Sequence, residues 1–161
     1  MEYIEILVKL RKIIRSINLE SKKVEKQFGI SIPQLLILQF LSKQEDYKTT
    51  AKDITGYINL NASTVSGILS RLESKGLIAK SPKPNDKRTI FIILTAKGAD
   101  LLISSPTTLQ EKISKKLKQL SPQKIEELND SIEFLTNLMD AENIEAAPII
   151  TDKDFSTTKS S

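Results

Sequence analysis

The chain has 161 residues, 39% of them apolar and 27% charged, and a formal net charge of +4 from 24 basic and 20 acidic groups; this suits one domain or one subunit of a compact dimer. It contains neither Cys nor His, which excludes disulfides, thiol redox sensing, Cys or His metal sites and every Ser–His or Cys–His nucleophilic pair. No apolar run approaches the roughly 20 residues that span a bilayer, and Met1-Glu2-Tyr3-Ile4-Glu5 lacks the basic-then-apolar order of a signal peptide, so a cytoplasmic protein without a membrane partner is expected.

From the N-terminus, Tyr3, Ile6, Leu10, Ile13 and Ile17 recur at spacings of 3, 4, 3 and 4, and Ile4, Leu7, Val8 and Ile14 widen the stripe. That is the seam of a helix–helix contact, on a helix predicted to run through Val24 and stop near Gly29. Ser31-Ile32-Pro33 reads as a cap followed by a first-turn proline, opening a second helix through Leu41. Gln44 to Lys48 is a polar connection. Thr50 and Asp53 fit a cap-plus-acid start for a short third helix to about Ile58. Asn61 then caps a fourth helix, Ala62 to Lys75, ended by Gly76.

Here the period changes. Leu77-Ile78-Ala79 is a short strand candidate, Ser81 to Lys87 a proline-stiffened polar tip, and Arg88 to Leu94 a β-branched and aromatic strand. Thr95 caps a further helix through Leu101, Leu102, Leu109, Ile113, Leu117 and Leu120, which Ser104-Ser105-Pro106 should kink or restart. The last helix opens at Ser121-Pro122 and repeats the seam pattern in Ile125, Leu128, Ile132, Leu135 and Met139. The fold class expected is mainly α with a small β-wing: a winged helix-turn-helix at 29–98, dimerisation helices at 1–28 and 99–141, and a polar acidic tail at 142–161.

The charge is uneven. Residues 48–98 carry Lys48, Lys52, Arg71, Lys75, Lys80, Lys83, Lys87, Arg88 and Lys97 against Asp53, Glu73 and Asp86, a positive segment that points to a polyanion. A solvated Lys-rich surface explains charge alone equally well. The fourth helix adds a second signal. Val65, Ile68, Leu69 and Leu72 share one face, while Ser63, Thr64, Ser66, Gly67, Ser70 and Arg71 share the other. A helix entering a major groove about 12 Å wide needs such a slim polar face. Its hydroxyls can donate to phosphates or base edges, and Gly67 lets the backbone come close. Lys83, Lys87 and Arg88 lie at a hairpin tip able to reach a minor groove.

The run Leu60-Asn61-Ala62-Ser63-Thr64-Val65-Ser66, then Arg71 to Ile78, then Asp86-Lys87-Arg88, then Leu94-Thr95-Ala96-Lys97-Gly98 resembles the MarR family of bacterial transcription regulators; Ile30 to Gln34 resembles the entry to its second helix. The resemblance covers about residues 1–140. It implies a homodimer whose terminal helices interlock, reading an inverted repeat in double-stranded DNA with half-site centres about 34–36 Å apart. By the same resemblance Arg88 is the wing arginine of the minor groove, Asp86 orients it or ties the wing down, and Ser63, Thr64, Ser66, Gly67 and Ser70 face the major groove. A small aromatic or anionic ligand is the effector implied, with Arg11, Lys12 and Arg15 as conceivable anion partners and solvated helix-face charge as the favoured reading of them.

Two features depart from the family pattern. No Arg, Lys or Gln stands on the outer helix face before Arg71, so DNA shape and phosphate contacts are expected to carry much of the affinity. Pro106 interrupts a helix that is usually long. The function expected is a sequence-specific DNA-binding regulator, a repressor, with no catalytic residue, cofactor or metal. The alternative is a winged-helix protein-interaction module without DNA binding.

Overall fold

A computed structural model describes residues 2–105 and 107–144; Pro106 and most of the acidic tail, 145–161, lie outside the described residues. The chain divides into two compact units, Met1–Pro106 and Thr107–Ser161.

The first unit begins with helix α1 (Glu2–Phe28). It ends where Gly29 takes φ +65°, its N–H reaching the Glu25 carbonyl at 2.8 Å. Only glycine enters that region without a steric cost. Helix α2 (Ile32–Ser42) opens on a reciprocal capping box. The Ser31 N–H donates to Gln34 Oε1 at 2.8 Å and the Gln34 N–H to Ser31 Oγ at 3.4 Å. Leu35, Leu36, Ile37, Leu38 and Leu41 are all buried. A helix apolar on every side has to be the centre of the core.

A 3₁₀ turn, Glu45–Tyr47, leads to strand β1 (Lys48–Thr50), where the sequence predicts only a connection and a cap. Helix α3 (Ala51–Ile58) follows at once. Its partner α4 (Ala62–Ser74) is joined through Asn59 in the left-handed region, φ +57°, buried Leu60, and Asn61, whose side chain accepts the Thr64 N–H at 2.8 Å. Val65, Ile68, Leu69 and Leu72 are buried in the core, as their spacing predicts. The rings of Phe40 and Tyr57 stack at 4.2 Å, fixing α2 to α3.

Strands β2 (Ile78–Lys83) and β3 (Asp86–Leu94) complete an antiparallel sheet of order β1-β3-β2. The hairpin is longer than the predicted one, and its turn shrinks to Pro84-Asn85. Pro82 sits inside β2 because β2 is an edge strand, where a missing N–H breaks no ladder. Helix α5 (Ala96–Ile103) closes the unit. Mainly helical with a three-stranded sheet, this unit contains the expected winged helix.

The second unit holds α6 (Leu109–Leu117) and α7 (Pro122–Leu138). The helix predicted to kink or restart does restart: Ser104 and Ser105 donate to the Leu101 and Leu102 carbonyls at the end of α5. Thr108 and Glu111 then form a new capping box for α6. Leu120 falls beyond α6, and Met139 is the C-cap of α7.

Candidate nucleic-acid interface

The outer face of α4 is open along its length. Asn61, Ser63, Thr64, Ser66, Ser70 and Arg71 are exposed, and Gly67 is half-buried. A β-carbon built on Gly67 would meet nothing within 4 Å, so this glycine answers to no packing demand inside the chain. The side chain of Asn61 is committed to capping α4, which presents its helix N-terminus outward.

The wing owes its shape to one carboxylate. Pro followed by a residue of positive φ (Asn85, +66°) is the pattern a type II turn requires. Beyond the turn the register breaks. Lys83 faces Asp86 but Pro82 faces Ile90, so Lys87, Arg88 and Thr89 fall between two partners on β3. Asp86 gathers this bulge: Oδ1 accepts the Arg88 backbone N–H at 3.1 Å and Oδ2 the Thr89 hydroxyl at 2.7 Å. Those two bonds, the Thr89 hydroxyl foremost, hold the Asp86 carboxyl below the usual carboxylate range. Asp86 thus holds the main chain at Arg88, while the Arg88 side chain stands exposed with those of Lys83 and Lys87. Thr89 was not singled out from sequence. A hydroxyl three residues after an Asp at a turn is the signal that could have found it.

Part of the basic segment is engaged within the chain. Lys48 pairs with Asp46 at 2.9 Å and Lys80 with Glu73 at 2.7 Å. Lys75 donates to the Gly29 carbonyl at 2.6 Å and Lys97 to the Lys75 carbonyl at 2.8 Å. The side chains of Lys52, Arg71, Lys83, Lys87 and Arg88 are exposed and make none of these bonds, and four of those five stand on α4 or the wing.

Residues 30–90, from the start of α2 through the wing, match the MarR family. Over that stretch the winged helix is of the MarR type. YdgJ of Bacillus subtilis, an HTH-type transcriptional regulator, is 28% identical over 145 residues, covering 90% of this chain and 84% of its own. MgrA of Staphylococcus aureus, also an HTH-type transcriptional regulator, is 29% identical over 109 residues, 68% of this chain and 71% of its own. The crystal structure of the S. aureus MepR–DNA complex shares the fold at a TM-score of 0.60 and 25% identity, covering 83% of this chain and 96% of MepR. The MarR relatives are transcriptional regulators, not enzymes. Among the described residues no helix is long and apolar enough to cross a membrane.

The predicted seams remain uncovered in the single chain. On α1, Tyr3, Ile6 and Ile13 are more than half exposed, while Leu10 and Ile17 are half-buried. On α7, Ile125, Leu128, Ile132 and Met139 are exposed and Leu135 half-buried; Phe134 and Leu138, outside the predicted stripe, are its most exposed large apolar residues at 66% each.

Proposed function

We infer that this MarR-type chain is a transcription regulator, a repressor, that binds double-stranded DNA as a cytoplasmic homodimer at an inverted repeat. One observation carries the reading. The recognition helix α4 buries Val65, Ile68, Leu69 and Leu72 and exposes, ahead of Arg71, only Ala62 and the small polar side chains of Ser63, Thr64, Ser66 and Ser70, beside a wing whose carboxylate shapes the chain at an exposed arginine. That a relative, MepR, was crystallised on DNA supports it. Ser63, Thr64, Ser66, Ser70 and Arg71 would meet the major groove, with Gly67 allowing close approach and Asn61 presenting the helix N-terminus. Lys83, Lys87 and Arg88 would follow the phosphates into the minor groove, with Asp86 as the wing's brace.

The apolar stripes of α1 and α7 support a dimer. Soluble monomers rarely expose such contiguous patches, and a second copy would cover both. An open depression of about 460 Å³ on one face of α1, lined by Arg11, Ile14, Arg15, Asn18, Leu19 and Lys22, is where a small anionic or aromatic ligand would meet three cations, and release by such a ligand is part of this proposal. In this division of the chain, 1–28 and 99–141 hold the dimer together and 29–98 reads DNA. The test is selection of bound duplexes from random DNA by the purified full chain. An enriched inverted repeat with half-sites one helical turn apart is expected; no enrichment at low salt would overturn the reading.

A further inference from the structure

The C-terminal end of the recognition helix is held from two sides by lysines. Lys75, the C-cap of α4, sends its ammonium to the carbonyl of Gly29, the residue that ends α1. The carbonyl of Lys75 itself receives Lys97, from the first turn of α5, at 2.8 Å. Both acceptors are carbonyls at chain reversals, where a cation also meets the negative end of a helix. Because α4 is 13 residues, about 20 Å long, a tilt of roughly 10° about this held end moves its groove-facing start by about 3 Å.

Resting on the DNA-binding reading above, we propose that Lys75 is a positioning residue for operator recognition: it ties α4 to the end of α1, sets the angle of the recognition helix, and so sets which half-site separation the dimer accepts. Lys75 acts within the chain, not on DNA. The Lys97 link extends the tie to α5, so that both helices flanking the winged helix bear on one residue.

The experiment compares the full-length chain with Lys75→Met, which keeps the stem but removes the donors, and Lys75→Arg, which restores them. Binding is measured on duplexes carrying the selected repeat with its half-sites moved apart or together by single base pairs, over a range of salt. Lys75→Met is expected to lose about tenfold on the best spacing and to flatten the preference among spacings. Its salt slope stays that of the parent, and Lys75→Arg recovers both affinity and preference. A slope shallower by roughly 0.9 per subunit would make Lys75 a phosphate contact, and an unchanged spacing profile would remove the tie; either overturns the proposal. Amide exchange without DNA decides it separately. Gly29, Gly76 and Leu77 are expected to exchange several-fold faster in Lys75→Met, and unchanged rates overturn the tie. A parent chain that binds no duplex defeats the DNA-binding reading and leaves exchange to judge Lys75.

Discussion

Gly98 packs so closely on the carbonyl oxygen of Leu77 that no β-carbon fits between them, and a β-carbon there would also stand 2.7 Å from Leu94 Cδ1. Around this contact Thr95 works twice. Its hydroxyl donates to the Gly76 carbonyl at 2.7 Å and accepts the Gly98 N–H at 3.1 Å. The Leu-Thr-Ala-Lys-Gly run is therefore a joint by which α5 grips the turn leaving the recognition helix.

Gly98→Ala should cost more than the roughly 1–3 kcal/mol of ordinary overpacking, because the obstacle is backbone and cannot rotate away. Gly67→Ala is the control. Nothing lies within 4 Å of the added carbon, so it should stabilise α4 by about 0.5–1 kcal/mol while weakening DNA binding. Urea denaturation of the two variants checks the opposite signs, and a harmless Gly98→Ala would refute the joint.

Asp86 offers a pH signature. Its carboxyl titrates below the model-peptide value of 3.8 chiefly through the Thr89 hydroxyl. A depressed folded-state value means that the bonds bracing the wing are complete above the unfolded value and are lost as pH falls through the folded one. The brace is thus intact at neutral pH and fails only in acid below about pH 4. Carboxyl NMR titration of Thr89→Val should show the Asp86 midpoint moving up toward its ordinary value. A midpoint that stays put would leave the Arg88 N–H as the dominant partner.

Helix starts are the most legible part of this fold. Ser31, Thr50, Asn61, Thr95 and Ser121 each accept the N–H three residues on, because a short polar side chain before an apolar period has few better uses. Strand β1 is not legible: three residues show no alternation, and the strand exists by pairing with Phe91 to Ile93. The wing's length is misread because Pro82 looks like a breaker until its edge position is known. The charge is misread in part for a different reason. Lys75 and Lys97 are satisfied by backbone carbonyls, and a carbonyl partner leaves no mark in the sequence. The small polar face of α4 is legible because its complement, Val65 to Leu72, keeps helical period against one core.

Arg88 is exposed while its backbone is fixed by Asp86, so its side chain can be removed without disturbing the wing. Arg88→Ala should lower operator affinity by about ten- to a hundredfold, the scale of a lost charge-assisted contact, and leave the dimer mass unchanged. Arg88→Lys should recover only part, since an ammonium lacks the guanidinium's flat fork. Anisotropy titrations across KCl concentrations check both. Equal affinity of parent and Arg88→Ala would exclude the wing from the contact.

The dimer seam can be tested at two residues whose exposure leaves room for a partner. Ile13 is 53% and Ile132 51% exposed in the single chain, so a second copy covering them would gain about half of the roughly 1.5–3 kcal/mol available from burying each side chain. An aspartate at either place would carry an unpaired charge into that contact. The double variant Ile13→Asp, Ile132→Asp should sediment as a monomer with the far-UV circular dichroism of the parent, because neither residue belongs to the core around α2. Its operator binding should fall far more than the loss of two side chains explains. Each half-site would then be met by a separate chain, and the effective concentration that linkage supplies to the second contact is gone. A double variant that stays dimeric would move the interface off these stripes, whereas a monomer of undiminished affinity would show that one winged helix suffices.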